Sequence, residues 1–510
     1  MVQGGILMLQ NRLWIGLVFV AASVVPAWSA TTEELEMKLK DLASQVQKLK
    51  GEVSSHESAE DPTHNRYSWL TIGGDFRVRH DVLGAHSVPY QEMDPSAPFF
   101  MGEVMEAQSI RNSSLLTSRV GLNLKAQVAE GISFKTRLVM QKVYGMANGS
   151  AFTGSYFSDR YGGNPFDGTV GKIPGNSSVV VEQAYADWAN IGGAPVWFSA
   201  GRRPSTGGVP TNFRQNKDDE GVSGVNGLLV DYVFDGFSLG YAPQIAGLPG
   251  FATKLCAGRA FQAGFQTPAT ASTLKNTDML GVVFLPMDTG KTRVDFQYQR
   301  AFNLMNTVPT WDSAWNDPMH DTTAVTANIG DIENAAGGFV KKTDIIGGSL
   351  QFFGYGGLSL SHPTPTGGLM FSPGAQSASG KQGWSAYTGL RYDLEKSRTK
   401  IGAEYNYGSK NWITFTPAAD DVWTSKLGTR GNVYETYVIQ ELGRFAYAPK
   451  AKTFFRLGWQ YYDFKHTGSN NWVGGAIPIK DVDPNNPATM QFFTPLANAY
   501  DIYTTFEVHF

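Results

Sequence analysis

At 510 residues the chain is long enough for two or three ordinary soluble domains or for one large membrane barrel. Charged residues make up 17%, below the roughly 25% of an average soluble protein, while aromatics reach 13% and glycine numbers 57, a balance that suits aromatic-rich strands better than a helical enzyme. A formal net charge of −3 leaves no global electrostatic case for nucleic acid, and the single cysteine, Cys256, excludes an intramolecular disulfide.

Residues 1–29 read as a cleaved export signal. Arg12 supplies the positive region, 13–25 the apolar run, and Pro26 breaks the helix before small residues at Ala27 and Ser29. The run is shorter than the roughly 20 apolar residues needed to span a bilayer. Over 30–55, Leu35, Leu39, Leu42, Val46, Leu49 and Val53 step by the heptad interval, which predicts a short coiled-coil helix that ties protomers into a homo-oligomer such as a trimer. Residues 56–68 are a polar linker.

From Trp69 the helical period gives way to alternation with period two over segments of roughly ten residues, the length of a tilted membrane strand. In 451–464, Phe455, Leu457, Trp459 and Tyr461 share one face, opposite Lys452, Arg456 and Gln460. The pattern predicts strands at 69–80, 116–129, 132–143, 179–190, 195–202, 225–234, 237–243 and 277–287. It continues at 291–302, 342–353, 356–362, 383–394, 399–408, 430–444, 451–463 and 499–510. The expectation is an all-β, antiparallel transmembrane barrel of about sixteen strands over 69–510. Short turns such as Glu130–Gly131, Asp235–Gly236, Gly354–Tyr355 and Glu395–Arg398 alternate with long loops at 81–115, 144–178, 203–224, 244–276, 303–341, 363–382, 409–429 and 464–498. Outer-membrane barrels sort their connections in this way, and soluble sandwiches have no reason to.

The last strand puts Ile502, Phe506, Val508 and the terminal Phe510 on one face, with Asp501, Glu507 and His509 on the other. A phased strand ending on Phe resembles the signal read by the barrel-assembly machinery of Gram-negative bacteria. It predicts that machinery and outer-membrane lipid as partners.

Three segments carry a family resemblance: AYADWANIGGAPVWFSAGRRPSTGGVPTNFR (184–214), GLLVDYVFDG (227–236) and RTKIGAEYNYGSKNW (398–412). With them the chain resembles a little-characterised family of predicted outer-membrane porins, found chiefly in metal-reducing delta-proteobacteria. The resemblance implies an outer-membrane channel and no catalytic residues.

If the apolar faces meet lipid, the opposite faces line a wet interior. The expected pore-lining residues are Arg77, Arg79, Arg119, Lys125, Lys135, Arg137, Arg293, Asp295, Arg391, Asp393, Glu404, Lys452, Arg456 and Glu507. Basic residues concentrate on the first three strands, so either a transverse field crosses the pore or the charges pair along the wall. The loop 203–224, with Arg203, Arg214, Lys217, Asp218, Asp219 and Glu220, is a candidate constriction by analogy with sixteen-stranded porins. No phosphate-binding loop, haem-attachment motif or metal-spaced histidine pair is present, so no cofactor, metal or catalytic centre is expected. The reading is a porin-like channel for small hydrophilic solutes or ions in a Gram-negative outer membrane. Its alternatives are a barrel sleeve around a multihaem cytochrome in an electron conduit and a loop-mediated surface receptor or adhesin.

Overall fold

The computed structural model describes residues 69–94, 101–146, 168, 171–204, 209–217, 227–264, 274–309, 324–364, 370, 379–416, 420–443, 451–472 and 475–510. The expected signal, coiled coil and linker lie outside these residues. The first strands are β1 (Leu70–Ser87), β2 (Tyr90–Met93), β3 (Met101–Met105), β4 (Ser109–Ala129), β5 (Ile132–Val143) and β6 (Val180–Ala189). Next come β7 (Val196–Pro204), β8 (Val233–Tyr241), β9 (Ala252–Phe261), β10 (Thr277–Asp288), β11 (Thr292–Pro309) and β12 (Ala324–Ile345). The chain finishes with β13 (Gly348–Pro363), β14 (Gln382–Leu394), β15 (Thr399–Gly408), β16 (Gly431–Glu441), β17 (Lys452–Phe464) and β18 (Leu496–His509). β2 and β3 pair only with each other, and the other sixteen form one closed antiparallel barrel in chain order, with β18 returning to β1.

Closure matters because an unpaired edge would leave backbone N–H and C=O groups facing hydrocarbon. Phe510 completes the seam: its N–H donates to the Gly74 carbonyl at 3.0 Å and its carbonyl accepts from the Gly74 N–H at 2.8 Å. Its ring lies over Gly74, where a Cβ would come within 2.9 Å of it. The alternation read from the sequence sets the two faces. On β17, Phe455, Leu457 and Trp459 are exposed on the outside while Arg456, Gly458 and Gln460 are buried inside. Exposed Ile72, Val120, Phe237, Leu255, Leu280, Phe296, Leu358 and Ile502 continue this apolar surface around the barrel. A soluble protein rarely shows so large a contiguous apolar patch, whereas a lipid-facing band requires one. Inside, glycines opposite aromatics let rings lie flat on the wall. Gly458 pairs with Tyr503, and a Cβ on it would sit 2.1 Å from that ring.

The connections alternate as expected. The short connections at one rim, 130–131, 190–195, 242–251, 289–291, 346–347 and 395–398, fall between β4 and β5, β6 and β7, β8 and β9, β10 and β11, β12 and β13, and β14 and β15, and the intervals between the other neighbours are long in sequence.

Several boundaries are corrected, including the expected loop 303–341, which is largely strand in β11 and β12. Asp235–Gly236 is not a turn: it lies within β8, where Asp235 pairs with Arg202 and Gly236 with Gly201. A Cβ at Gly236 would sit 2.0 Å from the Ala257 carbonyl oxygen, so this glycine serves close strand approach. Of the expected strand 225–234 only Val233 and Phe234 join the barrel, as the start of β8, and β9 occupies part of the expected loop 244–276. Gly354–Tyr355 lies within β13; the true turn is Ile346–Gly347, with Gly347 at φ +85°.

Candidate functional site: the barrel interior

The inward faces of β14 to β18 and β1 each carry one or more charged side chains, and these charges are paired. Arg79 donates to Asp81 at 2.6 Å and to Asp501 at 2.8 Å, and Arg456 donates to Glu507 at 2.8 Å. The Tyr503 ring lies between these two guanidiniums, 4.5 Å from Arg79 and 5.4 Å from Arg456, and its hydroxyl donates to Glu435 at 2.6 Å. Across the seam, Asp75 accepts from Arg119 at 2.8 Å and from Arg137 at 2.6 Å. Arg391 binds Asp393 at 2.6 Å, and Arg293 binds Asp295 at 3.3 Å.

Two long loops fold into the barrel and cover this wall. In the first, 209–232, Arg214 donates to Asp421 at 2.5 Å and to Glu435 at 3.3 Å. Three wall residues hold its backbone and Asn216. Arg391 donates to the Phe213 carbonyl at 2.8 Å, Arg456 donates to the Arg214 carbonyl, and Lys400 donates to Asn216 at 2.6 Å. In the second, 409–430, Asp420 accepts from Arg77 at 2.6 Å, and the Lys426 ammonium bridges Glu404 and Glu435. The loops join each other through Phe415 N–H to the Leu229 carbonyl and Asp231 N–H to the Phe415 carbonyl, both 2.9 Å. Leu228, Val230, Trp412, Ile413 and Phe415 then pack on the apolar inner faces of β10 to β14, including Met279, Ile332, Ala336, Phe353 and Tyr387. This half of the interior is a dry core rather than a lumen.

Arg430, at the end of the second loop, is fully buried without a carboxylate partner among the described residues. Its side chain donates to the carbonyls of Trp412 at 3.2 Å, Thr467 at 3.1 Å and Asn471 at 2.9 Å, and reaches the Met370 Sδ at 3.3 Å. It thereby ties together three outer loops. Burial would raise the Asp420 carboxyl, but Arg77, Arg119 and Arg79 outweigh it and hold the group well below the usual range. Burial would likewise lower Arg214, and Asp421 and Glu435 instead raise it well above its ordinary value.

The family described as "Protein of unknown function (DUF3373)" matches residues 109–510. The chain belongs to this family. No curated protein matches it. Among solved structures it is similar to OprB of Pseudomonas putida, at 10% identity over 88% of this chain and 96% of that one, with a TM-score of 0.42. It is similar to OmpT, an outer membrane protein of Vibrio cholerae in trimer form, at 10% identity over 86% and 99%, TM-score 0.39. It is also similar to Salmonella typhi OmpF in complex with daunomycin, at 9% identity over 86% and 97%, TM-score 0.40. The barrel assignment rests on the strand pairing described above.

In this DUF3373 barrel the residues expected to line a pore all sit on strands, and most of them form ion pairs along the wall. Arg77, Arg79, Arg293, Asp295, Arg391, Glu404, Arg456 and Glu507 are buried in the networks just described, covered by the inward loops rather than facing open water. Most of them pair with neighbours on the wall itself, while Arg77 and Glu404 meet Asp420 and Lys426 from a loop expected to lie outside. The apolar density of 412–423, with Trp412, Ile413, Phe415, Val422 and Trp423, is the signal that marks this loop as buried. Arg203 is on β7, where it donates to the Ser199 and Ser238 hydroxyls, and not in a loop. Arg214 does project inward. Asp218, Asp219 and Glu220 lie outside the described residues. Lys125 is exposed on β4, and Lys452, at the start of β17, is half-buried.

Water retains access on the other side. Lys135 pairs with Asp187 at 2.7 Å, and their side chains stay 26% and 21% exposed, against 1% and 2% for Arg456 and Glu507. Arg137 with Glu182, on β5 and β6, is more covered at 13% and 11%, and between two loops Lys172 with Asp231 stays 15% and 27% exposed. The accessible interior therefore follows β4 to β7.

Proposed function

We propose that this chain is an outer-membrane diffusion channel with a half-filled lumen, passing small hydrophilic solutes or ions along the β4–β7 side. The carrying observation is the contrast in exposure between inward charges on the two sides: a fully plugged barrel would bury both, and an open pore would wet both. Basic and acidic groups alternate along the accessible side, with Lys125, Lys135 and Arg137 beside Asp187 and Glu182. That mixture favours hydrated polar solutes over any one charge. In the same reading residues 1–29 direct export and the exposed apolar surface meets the lipid.

A sleeve around a separate cytochrome is disfavoured, because the chain's own loops occupy the interior such a guest would need. Planar-bilayer recording on the folded full-length protein tests the reading. Discrete open-channel steps are expected, and Lys135→Glu, which places like charge beside Asp187, is expected to shift ion selectivity toward cations. Folded protein that inserts but yields no steps would sink it.

A further inference from the structure

On the inner wall three neighbouring strands lack a side chain at nearly the same level: Gly236 on β8, Gly258 on β9 and Gly281 on β10. Gly236 pairs with Gly258, and Gly281 pairs with Cys256, two residues before Gly258 on β9. The inward loop meets this wall with Val230, near Phe234 of β8, and between them remains a cavity of about 60 Å³. One buried water needs roughly 10–15 Å³ by the same measure, so the space suits a small organic solute.

Its lining is two-sided. Arg203 and Lys254 bring two cationic groups, and no carboxylate is among the lining residues. Gln299, only 2% exposed, accepts from the Gln297 amide at 2.8 Å through its own oxygen. That leaves the Gln299 Nε2 buried with no hydrogen-bond partner, and a buried donor without an acceptor is unfavourable unless a ligand supplies one. Further along the strands the lining is apolar, with Phe234 and Met279, while Val283 sits beside Lys254.

Cations and an open donor at one end, hydrocarbon at the other, and a volume of a few heavy atoms complement one chemistry. We propose that this cavity binds a short-chain monocarboxylate of the acetate-to-butyrate class, its carboxylate between Arg203, Lys254 and the Gln299 amide and its alkyl chain against Phe234 and Met279. The proposal adds a solute class to the channel reading and rests on that reading only for the ligand's route.

The test uses folded full-length protein in detergent, with sodium butyrate as the probe followed by saturation-transfer NMR at fixed ionic strength. In parallel, Cys256, the chain's single thiol and part of the lining, is labelled with an anionic thiol reagent and followed by intact mass. Butyrate is expected to bind and to slow labelling of Cys256, while butan-1-ol and chloride fail to displace it. Lys254→Met is expected to weaken binding about tenfold or more through loss of a charge-assisted contact. Gly281→Leu, whose Cβ would meet nothing closer than the Tyr298 carbonyl oxygen at 3.4 Å, is expected to fill the cavity without altering charge and to abolish binding, with the heat-dependent gel shift checking that the barrel still folds. Absent binding, binding unchanged in both variants, or equal displacement by chloride would overturn the proposal. Butyrate binding lost while conductance persists refutes the carboxylate site alone; binding without conductance refutes the channel alone.

Discussion

Asp420 illustrates how a single loop residue holds the interior in place. It is buried against Arg77, with Arg119 at 3.9 Å, so removing its carboxylate strands charge in a dry environment. Asp420→Ala is expected to destabilise the folded barrel by about 3–5 kcal/mol, read as a lower midpoint in the heat-dependent gel shift that separates folded from unfolded barrels. The pH dependence follows from the depressed carboxyl. A folded-state value below the unfolded one gives stability that is complete above the ordinary carboxylate range and lost only as pH falls through the lowered folded value. Fluorescence from Trp412 and Trp423 in the same loop should therefore stay native-like at pH 4, where exposed carboxylates begin to protonate. A change centred near pH 4 to 5 would contradict the assignment.

Among elements, the second inward loop depends on Arg430. Arg430→Met leaves three carbonyls short of a donor at about 1–3 kcal/mol each, partly offset because a charge is no longer buried. The expected result is cleavage of the outer loops by added protease while the barrel strands survive, scored by mass spectrometry of the fragments. What the sequence revealed about elements depended on whether their two faces differ. β17 and β18 separate lipid-facing aromatics from inward charge, and their alternation was legible. β12 was read largely as loop because its faces do not separate by polarity: Ile332, Asn334 and Ala336 face the interior, while Asp331 and Glu333 share the other face with Phe339. β9 was missed because Cys256, Ala257, Gly258 and Ala260 are too small to mark a face. Asp235–Gly236 carries a hairpin signature that the pairing of β8 overrides. The candidate site was half legible: period two placed Arg77, Arg456 and Glu507 inside, but nothing local to 409–430 states that Asp420 returns to meet Arg77.

For the whole molecule, the strand number sets the cylinder and the inward loops set how much of it stays open. Replacing 410–428 with a short Gly/Ser linker should uncover the β14–β18 wall and raise single-channel conductance several-fold. Unchanged conductance in a folded variant would show that current never passes near this loop.

The separation along the chain of the partners that hold the first inward loop has a further consequence for the order of assembly. Phe213 and Arg214 are gripped by Arg391 and Arg456, 178 and 242 positions later. Contacts of such range carry a large loop-closure entropy and form late. Arg391 and Arg456 must therefore both be in place before Phe213 and Arg214 are held, which puts docking of this segment after most of the cylinder has zipped. The nascent barrel passes through a hollow stage, and its interior is furnished last.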